Sequence, residues 1–158
     1  GDAFNLFYPE IVPLEDFERL VGVGHADMRN LPAELGGPYD ALWSIGALQR
    51  LGSTEAMADF VERSLRLLRP GGVAVHTLDL NLSSDDTTVL RPGYALARRR
   101  DVEALMNRVV RGGFEMPPLN LYPGHDEADC VVDPPPYALP HLKVRAANHV
   151  FTSLGLTI

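Results

Sequence analysis

Three short segments lie where predicted strands end, and their residue types could do chemistry there. They are Asp27-Met28, Ser44-Ile45-Gly46 and Asp79-Leu80-Asn81. In open parallel sheets, ligands bind in the crevice outside the carboxyl ends of the strands. A carboxylate at that edge can accept a proton, and a glycine lets the backbone approach a ligand closely. We therefore expect one ligand site built from these segments.

Hydrophobic periodicity predicts the elements that must position this site. The predicted strands cover residues 21–28, 39–45 and 73–80, an edge strand at 114–122 and a final strand at 150–158. The predicted helices cover residues 13–20, a segment from Thr54 capped by Ser53, and a segment capped by Asp101. Residues 81–97 are predicted as a long loop or lid because Pro92-Gly93 interrupts them. Alternating strands and helices indicate a largely parallel sheet covered by helices.

Length and composition predict one cytoplasmic globular domain. The 158 residues are 46% apolar and 22% charged, which is enough to bury a core and too apolar for general disorder. No apolar run reaches the ~20 residues of a membrane helix, and residues 1–10 show no targeting pattern. We expect an amino-terminal arm and short helix at 1–20, and an α/β core at 21–158.

The net charge and the cysteine content of the chain limit the classes of partner and of metal site that we expect. The net charge of −7 disfavours nucleic acid, because an acidic surface repels phosphate. Cys130 is the only cysteine, so a disulfide within the chain and a multi-thiolate zinc site are excluded. The segment 125–130 holds ligand-type side chains, but a solvated acidic loop is the favoured interpretation and we expect no metal site.

Three blocks, in this order and spacing, resemble class I S-adenosylmethionine (SAM) methyltransferases of the type 11-like group. They are His25-Ala26-Asp27-Met28-Arg29-Asn30-Leu31-Pro32, Tyr39-Asp40-Ala41-Leu42-Trp43-Ser44 and Leu67-Leu68-Arg69-Pro70-Gly71-Gly72-Val73. The likeness extends from about Pro13 to the final strand. It implies an α/β, Rossmann-like three-layer sheet with SAM as the cofactor.

The resemblance also implies residue roles. Asp27 would accept a hydrogen bond from the adenine amino group, and the Met28 backbone N–H would meet the ring. Ser44, Ile45 and Gly46 would border the methionine portion of SAM. Two structural alternatives stay open: Asp27 starts the turn toward Pro32, and residues 44–46 form an ordinary turn after a strand.

The chain departs from the family pattern at two places. Gln49-Arg50 stands where members carry Glu-His after this strand, so Gln49 and Arg50 join Asp79 as weak catalytic candidates. The Gly-x-Gly-x-Gly strand and turn that open the family's fold are missing, so we expect a sheet truncated or rearranged at its amino-terminal strands. In the family those strands lie between the third and the fourth. Three explanations stay open: another chain supplies the strands, residues 21–28 pair elsewhere, or residues of a longer protein were lost. We expect that a second copy or a partner chain completes the sheet.

Two functions follow from these observations. The first is SAM-dependent methyl transfer to a small molecule or a glycan precursor. The second is a catalytically inactive, methyltransferase-derived interaction or scaffold module, suggested by the missing glycine loop and by Gln49-Arg50. Whether the chain is an enzyme stays open at this point.

Overall fold

The computed structural model describes residues 6–122, 124–138 and 142–158, which form a mixed α/β fold. The helices are α1 (Leu14–Leu20), α2 (Thr54–Leu65), α3 (Arg99–Arg111) and α4 (Glu127–Cys130), with short 3₁₀ helices at Ala33–Leu35 and Leu48–Leu51. The strands are β1 (Tyr39–Ser44), β2 (Leu68–Asn81), β3 (Val89–Arg91), β4 (Tyr94–Leu96), β5 (Val132–Asp133), β6 (Lys143–Ala146) and β7 (His149–Thr157). The predicted α/β class is confirmed.

A five-stranded sheet in the order β1-β2-β7-β6-β5 organises the molecule, and β3 and β4 form a separate hairpin. β1 and β2 are parallel, with Trp43 beside Val75, and β5 and β6 are also parallel. β7 runs antiparallel to both β2 and β6. The prediction of a largely parallel sheet was wrong for this reason: the final strand returns against its neighbours.

The two faces of β1 and β2 differ in burial. On one face, Ala74 and Leu78 are buried beneath α2, whose apolar stripe includes Phe60 and Val61. Burying this stripe is what makes the amphipathic helix stable in its place. α3 packs beside α2 and closes the core, burying Val102, Leu105 and Val109.

The opposite face of these strands is open to solvent. Trp43 is 73% exposed, Val73 45% and Val75 36%. A three-layer fold would bury these side chains under a second helical layer. Over β1 and β2, the residues that the structure describes provide helices on one face only.

Several predicted elements are present. α1 and β7 lie within a residue of their predicted bounds, and α2 begins at Thr54 with the Ser53 hydroxyl accepting from the Ala56 N–H at 3.1 Å. α3 begins at Arg99, so the prediction that Asp101 caps it was wrong: Asp101 lies inside the first turn and accepts from the Arg98 N–H at 3.1 Å. Phe4 of the predicted arm lies outside the described residues.

The predicted strand at 21–28 is absent, and this prediction was wrong. Its residues have no ladder partner; Asp27 only bridges to Asn30 across a tight turn. Residues 21–27 are exposed, so no burial favours an extended pairing, and Gly22 and Gly24 add backbone entropy that a strand would have to lose.

The predicted lid at 81–97 is instead a strand end and a hairpin. β2 continues to Asn81, and Pro92-Gly93 forms the two-residue turn between β3 and β4, with Gly93 at φ +72°. A proline followed by a glycine at positive φ is the residue pair typical of a type II turn. The proline and glycine thus connect two strands where a break was predicted, and Ala95 and Leu96 are buried.

The predicted edge strand at 114–122 is also absent. Pro117 and Pro118 lack the N–H groups that a ladder needs, and the segment runs as irregular chain. Its apolar side chains nevertheless pack against the core: Phe114, Met116, Leu119 and Leu121. The strands β5 and β6 were not predicted, because each is short and they flank a proline-rich stretch.

In the described ranges, no helix combines the length and the apolar character that crossing a bilayer requires.

Candidate active site

A cavity of about 310 Å³ lies where the chain leaves β1 and β2, between the 3₁₀ helix Leu48–Leu51, the β3–β4 hairpin and the β6–β7 turn. This volume is at the lower end of the range for small-molecule sites. Its lining contains all three weak catalytic candidates, which are far apart in sequence: Gln49, Arg50 and Asp79.

Asp79 is the central polar group of this cavity. It is 9% exposed, and the Tyr94 hydroxyl donates a hydrogen bond to its Oδ2 at 2.9 Å. Burial raises the pKa of Asp79, against the opposing effects of the Tyr94 hydrogen bond, the Arg50 charge and a hydrogen bond from Gln49. A carboxylate that protonates more readily than usual is suited to accept a proton from a substrate.

Tyr94 holds Asp79 without competing for its role. Burial, together with the hydrogen bond to Asp79 and the charge of that residue, raises the pKa of the Tyr94 phenol. Tyr94 therefore keeps its proton at neutral pH and acts as a fixed donor. Its position on the hairpin depends on the docking of the Pro92-Gly93 turn, whose Gly93 packs next to Gly52.

Gln49 has an unmet hydrogen-bonding capacity beside the cavity. The side chain is 8% exposed and donates to Asp79, while its Oε1 is buried with no hydrogen-bond partner among the described residues. A buried acceptor without a partner is costly, about 1–3 kcal/mol, and such groups commonly mark a functional site or a missing ligand or water.

The end of β1 forms a rigid rim near this cavity. A hydrogen bond of 2.8 Å joins the Ser44 Oγ to the Nδ1 of His76, and the Gly46 N–H donates to the Thr77 Oγ1 at 2.8 Å. Gly46 has φ +62°, and the nearest atom to a Cβ built there is Gln49 Nε2 at 3.9 Å. Glycine therefore serves the backbone conformation here and leaves room for a ligand to approach.

His76 is a packed core histidine. It is fully buried, its ring meets Phe60 edge-on at 6.0 Å, and its Nε2 has no hydrogen-bond partner in the described part of the chain. Burial lowers the pKa of His76 to about 4. Because β2 residues alternate faces, His76 points into the core and Asp79 into the cavity.

Asp27 and Met28, the predicted adenine contacts, do not lie at the rim formed by the end of β1. The Asp27 Oδ1 accepts from the Arg29 N–H at 2.9 Å, which is the local turn that was weighed against an adenine contact. Arg29 donates to the Leu51 carbonyl at 3.0 Å, and Arg63 of α2 donates to the Met28 carbonyl at 3.4 Å. The turn is thus fastened to the end of the 3₁₀ helix that carries Gln49 and Arg50.

The structure therefore groups the predicted residues in two sets. Gly46, Gln49, Arg50 and Asp79 lie around one end of β1 and β2, with Ser44 tied to the neighbouring strand and the Ile45 side chain 65% exposed. Asp27 and Met28 join this group only through the 3₁₀ helix.

A larger cavity of about 650 Å³ lies elsewhere, between α3 and residues 119–122. Its charged lining residues Arg99 and Glu103 are exposed and bond to each other at 2.7 Å. Paired, solvated charges offer little to a ligand. We therefore place the candidate active site at the smaller cavity.

Seven lining residues were not identified from the sequence, and four of them are polar or aromatic: Arg91, Tyr94, His149 and Phe151. Pro92-Gly93 between two β-type runs was a usable signal for a hairpin that would carry Arg91 and Tyr94. No local pattern marks His149 or Phe151, because their place depends on β7 pairing with β2.

Comparison with protein-family models gives no match for this chain, and comparison with curated proteins gives no significant match. Membership of the methyltransferase family therefore stays a prediction from the three sequence blocks.

Proposed function

We propose that the chain is a methyltransferase-derived domain that transfers a methyl group from SAM to a small molecule bound beside Asp79. The observation that carries this proposal is the meeting of Gly46, Gln49 and Asp79 at the end of β1 and β2, the edge at which such sheets bind ligands. The finer assignment, a Rossmann-like methyltransferase sheet, is part of the same proposal.

The residues present are compatible with SAM at specific points. The open space at Gly46 suits close backbone approach by the methionine portion, beside Ser44 and Ile45. The exposed Asp27 carboxylate and the Met28 backbone would take the adenine ring. When bound, SAM supplies a methyl group on an already reactive sulfonium, so the protein chiefly has to align the partners.

The chain's own residues then have separate tasks. Asp79 would accept the proton of the substrate hydroxyl or amine. The methyl group would pass to that oxygen or nitrogen as its bond to the SAM sulfur breaks, with S-adenosylhomocysteine as the leaving group. Tyr94 and Gln49 keep the Asp79 carboxylate in place through their hydrogen bonds. The apolar walls exclude water from the site and so favour proton transfer from the substrate itself.

Calorimetry with SAM and S-adenosylhomocysteine tests the cofactor. We expect micromolar binding that is lost in Asp27→Ala. The control is Asp85→Ala, which removes an exposed loop carboxylate distant in sequence from Asp27 and should keep the binding. No heat at millimolar ligand would remove the methyltransferase proposal for this chain.

A specific observation favours a second candidate, a non-catalytic interaction module. The open face of β1 and β2 carries Trp43, Val73 and Val75, and β1 is the terminal strand of the described sheet. An exposed apolar patch beside an unpaired strand edge is typical of an association surface. A second copy or a partner chain that completes the sheet would cover it. Binding of a partner by a chain that ignores SAM would support this candidate.

A further inference from the structure

Two cations converge on the candidate active site from different elements. Arg50 comes from the 3₁₀ helix and Arg91 from β3, yet both line the same cavity. Among the ion pairs of the described chain, none involves either residue. Two guanidinium groups that form no close ion pair are well suited to bind an anion, because each presents a fork of N–H donors.

The Asp79 carboxylate in the cavity leaves the charges of these two arginines available to a ligand. Asp79 attracts Arg50 but accepts its hydrogen bonds from Tyr94 and Gln49. Arg91 acts on the Tyr94 side of the cavity. The cavity therefore presents one proton acceptor, Asp79, and two cations, Arg50 and Arg91. A single ligand can contact all of them.

The remaining lining is apolar and limits the body of the ligand. It consists of Val89, Leu96, Ala146 and Phe151, with His149 as a further polar group. A neutral sugar would need polar partners for several hydroxyl groups, and burying them against these walls would be costly. A compact apolar body, such as a single ring, matches both the walls and the volume of about 310 Å³.

We infer that the substrate of this site is a small organic acid: a compact apolar body with a carboxylate or phosphate held by Arg50 and Arg91, and a hydroxyl or amine facing Asp79. This selects the small molecule over the glycan precursor. Because Asp79 is the proton acceptor in the proposed function, the orientation of this substrate rests on that function. The anion site itself can be tested separately.

The test is a calorimetric titration with 4-hydroxyphenylacetate, its neutral amide and phenyl phosphate. We expect the acid to bind at least about tenfold more tightly than the amide, the ratio that one charge-assisted contact provides. Phenyl phosphate distinguishes the two anions: the tighter binder of the two identifies the preferred group, and either preference supports an acid site.

The matched variants are Arg50→Gln with Arg91→Gln, and Arg111→Gln on the exposed end of α3 as the control. The double variant should weaken acid binding about tenfold or more, and the control should not change it. Equal binding of acid and amide, unchanged binding in the double variant, or no binding of either anion at millimolar concentration would overturn the inference.

SAM binding, measured in the same preparations, separates the two proposals. Acid binding without SAM binding would leave the acid site standing and remove methyl transfer. SAM binding without acid binding would do the reverse.

Discussion

Asp79 and His76 lie three residues apart on β2, on opposite faces, and burial acts on both by disfavouring charge. Burial raises the pKa of Asp79 and lowers the pKa of His76 to about 4. The physical cause is the same, since moving a charge out of water is costly. The consequences differ, because Asp79 faces a cavity where a substrate can exchange protons and His76 faces packed side chains.

Removing the Tyr94 hydroxyl should raise the pKa of Asp79 further. That hydroxyl donates to the carboxylate and so stabilises its charged form. NMR titration of the Asp79 carboxyl carbon in Tyr94→Phe measures the change. The control is Tyr122→Phe, whose hydroxyl bonds to His125 on the surface. An unchanged or lower pKa in Tyr94→Phe would show that the hydrogen bond is not formed in solution.

His76 should make folding stability depend on pH between its unfolded and folded pKa values. Its folded pKa of about 4 lies below the ordinary 6.5, so the unfolded chain binds the extra proton in this interval. The contribution of His76 to the free energy of unfolding is therefore complete above pH 6.5. It decreases as the pH falls toward 4, by up to about 1.4 kcal/mol per pH unit.

Urea unfolding of wild type and His76→Gln across this pH range checks the assignment. Glutamine can still bond to Ser44 but does not titrate, so the variant should show a shallower slope. His125→Gln, at an exposed position, should keep the wild-type slope. Equal slopes in wild type and His76→Gln would mean that His76 is not buried in a neutral form.

At the level of elements, one arginine connects the two helices that cover the sheet. Arg108 of α3 bonds to Glu55, Asp59 and Glu62 of α2 at 2.7–2.9 Å. The Arg108 hydrogen bond lowers the pKa of Glu62. Without the arginine, three carboxylates on successive turns of α2 would repel one another.

We expect Arg108→Gln to lower the free energy of unfolding by about 1 kcal/mol at neutral pH, a modest value because the group is partly solvated. The loss should shrink at high salt. It should also shrink as pH falls below 4.5, the ordinary pKa of a glutamate, and Glu62 takes up its proton at the lower pKa of the folded state. Arg99→Gln, which breaks only the exposed pair with Glu103, should cost less. Equal losses from the two variants would contradict a connecting role for Arg108.

Elements with a strong local pattern were predictable from the sequence. α2 has a cap at Ser53 and a continuous apolar stripe, so its start was correctly predicted. The hairpin β3–β4 was missed because Pro92-Gly93 fits a break as well as a turn, and only the burial of Ala95 and Leu96 decides between them. Burial of that kind is a property of the fold and not of the segment.

The candidate site, too, was predictable from the sequence only in part. Gln49, Arg50 and Asp79 follow predicted strands, so their meeting was foreseeable from topology. The segment around Asp27 was predicted at the end of a strand that does not exist, and its place beside the 3₁₀ helix depends on Arg29 and Arg63. Long arginine side chains can make such contacts from many positions, so sequence spacing does not specify them.

For the whole molecule, the open face of β1 and β2 predicts association. Trp43 is the only tryptophan and is 73% exposed, so its fluorescence reports directly on this face. If copies associate here, the emission should shift to shorter wavelength as protein concentration rises, and sedimentation should show the larger species over the same range. The apolar side chains are the physical reason, since their burial is favourable.

The variant Val75→Lys should abolish the concentration dependence while keeping Trp43 as the probe. Val110→Lys, at an exposed apolar position on α3, is the matched control and should leave association intact. A chain that remains monomeric at all concentrations, with constant emission, would rule out self-association through this face.

The pairing of β2 with β7 determines when the sheet can be completed during synthesis of the chain. β2 has β1 on one side, and its other neighbour is β7, near the end of the sequence. This pairing extends to Ala74 of β2 and Ile158, whose backbones exchange hydrogen bonds of 2.8 and 2.9 Å. On the ribosome, β2 must therefore wait with one flank unpaired until the residues of β7 have emerged. Contacts so distant in sequence close slowly. Nascent chains halted before β7 should be the form that chaperones and proteases recognise.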